Sequence, residues 1–108
     1  MSGRPQKMIR AMIRPDREAR VLSLLEAEGF YAMTKIAVLG RGLQRGIQVG
    51  NVSYDELSKI MLILVVDEAD LPKAVRVIEE GARTGHPGDG RIFIQGVRES
   101  YTIRGGRD

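Results

Sequence analysis

The chain has no cysteine, a single histidine (His86), three tyrosines and two phenylalanines in 108 residues. Without thiols neither a disulfide framework nor a thiolate metal centre is available, and one imidazole cannot supply a zinc site. No apolar run approaches the length that spans a bilayer. Residues 1–7 are polar and lack the apolar core of a secretory signal, so the expected compartment is a reducing cytoplasm, with no membrane insertion. Sparse aromatics also count against an RNA-binding sheet, which stacks bases on several rings. Phe93 is the only aromatic in a predicted sheet interior, and it reads as core.

What is present is charge, and above all arginine. Charged residues make up 29% of the chain and hydrophobic ones 43%, with thirteen arginines against four lysines and a net charge of +3. This is one soluble globular domain, small enough to gain from self-association. The guanidinium fork suits phosphates and carboxylates, so nucleotides, nucleic acid or an acidic protein are all admissible partners. Genome composition alone also produces such an excess, and these arginines alternate with acids in both helical patterns.

Residues 7–13 alternate, with Ile9, Ala11 and Ile13 on one face, and predict a strand. Pro15 opens a helix with Asp16 and Glu18 in its first turn, an apolar stripe of Val21, Leu22, Leu24 and Leu25, and a stop at Gly29. Residues 32–39 predict a second strand. Residues 60–66 predict a third, apolar on both faces, as befits a central strand covered on both sides. Asp70, Leu71 and Pro72 open a second helix, carried by Ala74, Val75, Ile78 and Ala82 and ended near Gly85. Residues 91–97 and 101–104 predict closing strands. The order is that of an α+β, ferredoxin-like βαββαβ sandwich, one antiparallel sheet with two helices on one face. The other face needs cover, and in so short a chain the expected cover is another copy of itself.

Two glycine-rich segments interrupt this frame. Residues 40–58 show neither period and contain Gly40, Gly42, Gly46 and Gly50, which predicts a long functional loop between strands two and three. The second segment is Thr84-Gly85-His86-Pro87-Gly88-Asp89-Gly90-Arg91-Ile92-Phe93. It matches neither Gly-x-Gly-x-x-Gly nor a Gly-Lys-Ser/Thr ending. Locally it reads first as a helix stop and the start of a hairpin, and second, through its freed amides with Arg91 at the exit, as a phosphate cradle.

The chain resembles the PII signal-transduction proteins over residues 7–106. The resemblance is carried, in order, by Gly40-x-Gly42-x-Gln44-Arg45-Gly46, Asp55-x-Leu57-x-Lys59, the Thr84 to Phe93 segment, and Ile103-Arg104-x-Gly106. It implies a single domain over residues 1–108 that forms a cytoplasmic homotrimer. That trimer binds ATP or ADP in inter-subunit clefts, with Mg2+ and 2-oxoglutarate joining ATP. Residues 40–58 become the family's target-docking T-loop, residues 84–91 its phosphate-contacting B-loop and residues 101–108 its C-terminal segment.

The resemblance also implies residue roles. Gly88, Asp89 and Gly90 offer backbone amides to phosphates, Arg91 stands for the usual lysine, and Arg104 reaches the phosphates across a subunit boundary. Thr34 and Val65 hold the adenine, Met12 lines the base, and Gly42 and Gln44 complete the nucleotide set. Gln44 binds magnesium and, with Gly46 and Lys59, 2-oxoglutarate; Lys59 pairs with a carboxylate. Arg45, Gln48, Asn51 and Tyr54 belong to the docking loop. A multiply charged anion needs such fixed donors and cations around it. Leu43 and Thr102 depart from the pattern, standing where many members have phosphate-contacting arginines.

The loop is shorter than in the commonest bacterial members, and its one tyrosine, Tyr54, lies close to Lys59. In this it resembles the nitrogenase-associated branch, whose members work with a sister subunit and inhibit dinitrogenase until 2-oxoglutarate relieves them. The rival within the family is a general regulator of glutamine synthetase, its modifying enzyme or an ammonium transporter. The remote rival is a ferredoxin-like RNA-binding module. Catalysis is not expected. Glu79 and Glu80, or Asp55 and Glu56, are adjacent and do not converge on one substrate atom, and His86 reads as a solvated loop residue.

Overall fold

The computed structural model describes the backbone of residues 4–42 and 55–107 and the side chains of residues 4–39 and 58–105. Strand β1, Gln6–Ile13, buries Ile9, Ala11 and Ile13 on one face, as its alternation requires. Pro15 holds Arg14 in extended backbone, and a 3-10 turn, Pro15–Arg17, leads into α1, Glu18–Ala27. Helix α1 buries Val21 and Leu25, and Gly29 closes it at φ +90° while the Phe30 amide donates to the Leu25 carbonyl at 2.9 Å. Strands β2, Thr34–Gly42, and β3, Asp55–Asp67, follow. A second 3-10 turn, Glu68–Asp70, precedes α2, Leu71–Ala82, whose Pro72 lies in the first turn. Strand β4, Gly90–Val97, completes the sheet, and β5, Tyr101–Thr102, pairs with β6, Gly106–Arg107.

The main sheet has the order β2-β3-β1-β4, antiparallel throughout, with β3 and β1 at its centre. Both helices lie on one face, where Ile9, Ile13, Val21, Leu25, Leu62 and Ile78 are fully buried. Each such side chain contributes about 1.5–3 kcal/mol of burial. The helices approach closely at Gly81, where an added Cβ would lie 2.9 Å from Val21 Cγ2 and 3.1 Å from Val21 Cα. This is the expected ferredoxin-like sandwich.

Three expectations need correcting. Residues 40–42 and 55–58 are not loop: Gly40 pairs with Leu57, Arg41 with Glu56 and Gly42 with Asp55, extending the β2–β3 ribbon. Glycines at alternate positions erase the side-chain period that would have revealed the strand. Residues 101–104 do not form a closing strand of the sheet, because the chain turns back through residues 103–105 and makes the separate β5–β6 pair. Phe93 is not core. It is 54% exposed on the face away from the helices, where Arg10 stands between it and Ile63, and Val65 and Ile36 are exposed on the same face. Strands apolar on both sides do not announce which face meets the helices.

Candidate functional site

Helix α2 releases the chain at Arg83, whose amide still donates to Glu79 at 3.0 Å, and the loop that follows is organised by one carboxylate. Asp89 Oδ2 accepts from the amides of Thr84, at 2.7 Å, and Gly85, at 2.9 Å. Its Oδ1 accepts from the Thr84 hydroxyl and from Arg14 Nε, the latter at 3.0 Å. The His86 amide donates to Thr84 Oγ1 at 3.2 Å, so successive backbone donors are held inside the turn. Thr84, through its hydroxyl and then its amide, holds the Asp89 carboxyl well below the usual carboxylate range. Partial desolvation opposes this, and Arg14 and the Gly85 amide add to it.

Positive φ favours glycine at three loop positions, Gly85, Gly88 and Gly90, and the last two border the site. Gly90, at φ +122°, opposes Ile13 in the β1–β4 ladder, and an added Cβ would sit 1.7 Å from the Met12 carbonyl oxygen. Gly88, at φ +91°, presents its α-carbon to two cations: an added Cβ would lie 3.4 Å from Arg14 Nη2 and 3.8 Å from Lys59 Nζ. Arg14 Nη2 donates to the Pro87 carbonyl at 2.7 Å, and Lys59 Nζ donates to the Gly88 carbonyl. Arg91 is exposed at the start of β4, opposite Met12, and makes no ion pair among the described residues. Three cations and a glycine-rich turn therefore meet at one end of the sheet, an arrangement suited to holding an anion.

The structure brings together Met12, Lys59, Gly88, Asp89, Gly90 and Arg91. The Asp89 carboxylate is turned into the loop, which leaves its amide, the group the sequence-based reading assigned to phosphate, to serve a ligand. Thr34 and Val65 share the open sheet face but not this end of it. Val65 is six residues along β3 from Lys59, about 20 Å in extended chain, and Thr34 opposes Ile63. Beside Val65 a cleft of about 310 Å³ is walled by Phe30, Tyr31, Ala32 and Lys73. Met12 opposes Met61 at the loop end, four residues from Val65 along β3, so one chain does not set it beside the adenine positions. Arg104 lies exposed in the β5–β6 turn, with no hydrogen bond or ion pair to the 84–90 loop. The Gly42 backbone pairs with Asp55 at the end of β2. Leu43, Gln44, Arg45, Gly46, Gln48, Asn51 and Tyr54 lie outside the described residues.

Arg14 was missed by sequence reasoning. Its signal is the dipeptide Arg14-Pro15 directly after β1: proline fixes the preceding residue as extended, which leaves a cation at the strand end where β4 begins.

A family model described as nitrogen regulatory protein P-II matches residues 6–107. The chain belongs to the P-II family. Among curated P-II relatives, the "nitrogen fixation nifHD1 region GlnB-like protein 1" of Methanosarcina barkeri is 52% identical over 94% of this chain and 96% of its own. The "nitrogen fixation nifHD region GlnB-like protein 1" of Methanothermobacter marburgensis is 50% identical over 91% and 93%. A "nitrogen regulatory protein P-II 2" of Methanothermobacter thermautotrophicus is 41% identical over 93% and 90%. Within the P-II family the chain thus falls in the nif-region GlnB-like branch. A solved structure of Arabidopsis thaliana PII bound to citrate superposes with a TM-score of 0.79 at 29% identity, over 98% of this chain and 88% of that one.

Proposed function

We propose that this P-II family chain is a cytoplasmic homotrimeric regulator that binds ATP or ADP, with Mg2+ and 2-oxoglutarate joining ATP, and acts on dinitrogenase through residues 40–58. The observation that carries the reading is the meeting of Lys59 with the 84–90 loop at Gly88. By family resemblance Lys59 takes a carboxylate and the loop takes phosphates, and here they touch before any ligand is considered. The residues present fit such anions: glycines clear the approach, the Asp89 carboxylate holds the turn in shape through Thr84 and Gly85, and Lys59 and Arg91 supply charge.

In this reading Gly88, Asp89 and Gly90 present amides to the phosphates, while Arg91 faces them as a point of positive charge. Lys59 exchanges the Gly88 carbonyl for a 2-oxoglutarate carboxylate. Gln44 would hold the magnesium, Gly46 would stand beside it, and Arg104 would arrive from a neighbouring subunit. The open face bearing Phe93, Ile36 and Val65 supplies apolar surface for the trimer. That would bring the Thr34 and Val65 end of one chain toward the loop of another. The activity is recognition, with no turnover.

The names of the nif-region relatives support dinitrogenase as the target, with a sister subunit of the same branch as working partner. Titration calorimetry of ATP, ADP and 2-oxoglutarate tests the ligands. Lys59→Ala is expected to abolish 2-oxoglutarate binding and leave ADP binding largely intact; unchanged 2-oxoglutarate affinity would refute the role given to Lys59. Capture from nitrogen-fixing cells tests the target. Recovery of an ammonium transporter without dinitrogenase would favour a general regulator instead.

A further inference from the structure

We infer that Arg14 is a positioning residue of this site: it straps the 84–90 loop to the end of β1 through Asp89 and the Pro87 carbonyl, and it governs anion binding through the shape of the loop. This rests on the nucleotide-binding reading above and adds to it a residue that the sequence motifs do not single out.

The loop's internal bonds give it shape but not place. Thr84 and Gly85 donate to Asp89 from within the same turn, so those bonds would survive if the whole turn swung away from the sheet. Position is set by the bonds that cross to other elements. Among the described residues, besides the ladder at Gly90, the side chains that cross are Arg14, from the end of β1, and Lys59, from β3.

Lys59 is not a permanent tether. In the proposed function its ammonium leaves the Gly88 carbonyl when a carboxylate binds. Arg14 then remains as the side-chain tie between turn and sheet.

Its geometry suits that task. Nε donates to Asp89 Oδ1 at 3.0 Å and Nη2 to the Pro87 carbonyl at 2.7 Å, so one planar group spans two points of the turn. Its own backbone is held on both sides. Ile13 is paired with Ile60 and Gly90, Pro15 follows, and the Arg17 amide donates to the Arg14 carbonyl at 3.0 Å. The guanidinium also lies within van der Waals reach of Gly88, where a φ of +91° is what favours glycine.

The test compares the full-length wild type with Arg14→Lys, Arg14→Met, Asp89→Asn and the Arg14→Met/Asp89→Asn double variant. ATP and ADP affinities come from calorimetry, and amide hydrogen exchange is followed across residues 84–90 in the nucleotide-free protein. Arg14→Met is expected to weaken ATP and ADP on the order of tenfold and to speed exchange in the turn. Arg14→Lys should not restore affinity, because one ammonium cannot make both bonds of the fork. In the Asp89→Asn background Arg14→Met should add less than about twofold, since its main partner is already altered.

Restoration of wild-type affinity by lysine would overturn the inference in favour of a direct charge contact with the anion. So would a full tenfold loss in the Asp89→Asn background, or unchanged exchange in Arg14→Met. Should Arg14→Met fail to fold, Arg14→Lys and Asp89→Asn carry the same exchange comparison. A wild type that binds neither nucleotide defeats the proposed function, while the exchange data still decide the strap.

Discussion

Replacing Gly90 by alanine is the most exacting test of how the loop joins the sheet. Two costs combine there. The first is conformational: φ of +122° is a region L-residues rarely enter, worth about 1–3 kcal/mol. The second is steric. The new methyl would stand 1.7 Å from the Met12 carbonyl oxygen and 2.8 Å from its carbon, and both are backbone atoms of a central strand. No rotamer change relieves that overlap. Strands β1 and β4 would have to part by more than an ångström, at about 1–3 kcal/mol for the overpacking and about 1 kcal/mol for each ladder bond lost. The sum is on the order of 3–6 kcal/mol, against a total stability of about 5–15 kcal/mol for an ordinary domain.

Gly85 supplies the control, because it has φ +88° with nothing within 4 Å of an added Cβ, so alanine there pays the conformational part alone. About 1–2 kcal/mol is expected for Gly85→Ala. Urea denaturation followed by circular dichroism, at one fixed protein concentration because an oligomer's apparent stability depends on it, gives both values. If Gly90→Ala falls within about 1 kcal/mol of Gly85→Ala, the steric argument is wrong and the turn is more pliant than its geometry implies.

Acid should loosen the loop, while neutral pH leaves it intact. Asp89 titrates below its unfolded value because Thr84 first, then Arg14 and Gly85, stabilise its charged form. Its contribution is therefore complete above about pH 4 and declines as pH falls toward the lower folded value. Amide exchange across residues 84–90, corrected for intrinsic rates, should be flat from neutral pH to about pH 5 and rise below about pH 4. Asp89→Asn should remove that step, and its persistence in the variant would locate the titrating group elsewhere. On the open sheet face, Phe93→Asp places a charge on an apolar surface that is 54% exposed at that residue, and it should reduce the proposed trimer to smaller species by light scattering. An unchanged trimer would put the interface on another surface.

The sequence declared the frame more readily than its edges. Ile9, Ala11 and Ile13 gave the core face of β1 by simple alternation, and Pro15 and Pro72 marked both helix starts. Strand ends were hidden wherever glycine replaced a patterned side chain, as at Gly40 and Gly42, since a missing side chain leaves no period to read. Phe93 reads as core from the sequence because its neighbours Ile92 and Ile94 are equally apolar and no polar alternation marks its side as the open one. At the site, motif order led to Lys59 and to the glycines of the 84–90 loop, but not to Arg14. Its role depends on a contact between residues 75 positions apart, and no local pattern records that. Asp89 was found for its place in the motif, while its work as an acceptor for its own loop appears only when the side chains are placed.

These assignments divide the recognition of a nucleotide between two ends of one sheet. In the proposed function the anion end draws most of its groups from one chain, with Arg14 from β1, Lys59 from β3 and amides from the turn between α2 and β4, and Arg104 joins them from a neighbour. The end bearing Thr34 and Val65 is about 20 Å away along β3, beside the cleft walled by Tyr31 and Lys73. Loop geometry and subunit association are therefore separable requirements. A substitution that loosens the strap acts on phosphate recognition inside each protomer, whereas one that breaks the open-face contact leaves the loop formed but removes what a neighbour contributes. Lys59 connects the two ligand classes, because the same ammonium that pins the ligand-free turn is the cation assigned to the effector carboxylate. In the proposed function, binding the effector releases one of the turn's ties to the sheet, which leaves the Arg14 side chain and the Gly90 ladder to keep the phosphate cradle in shape.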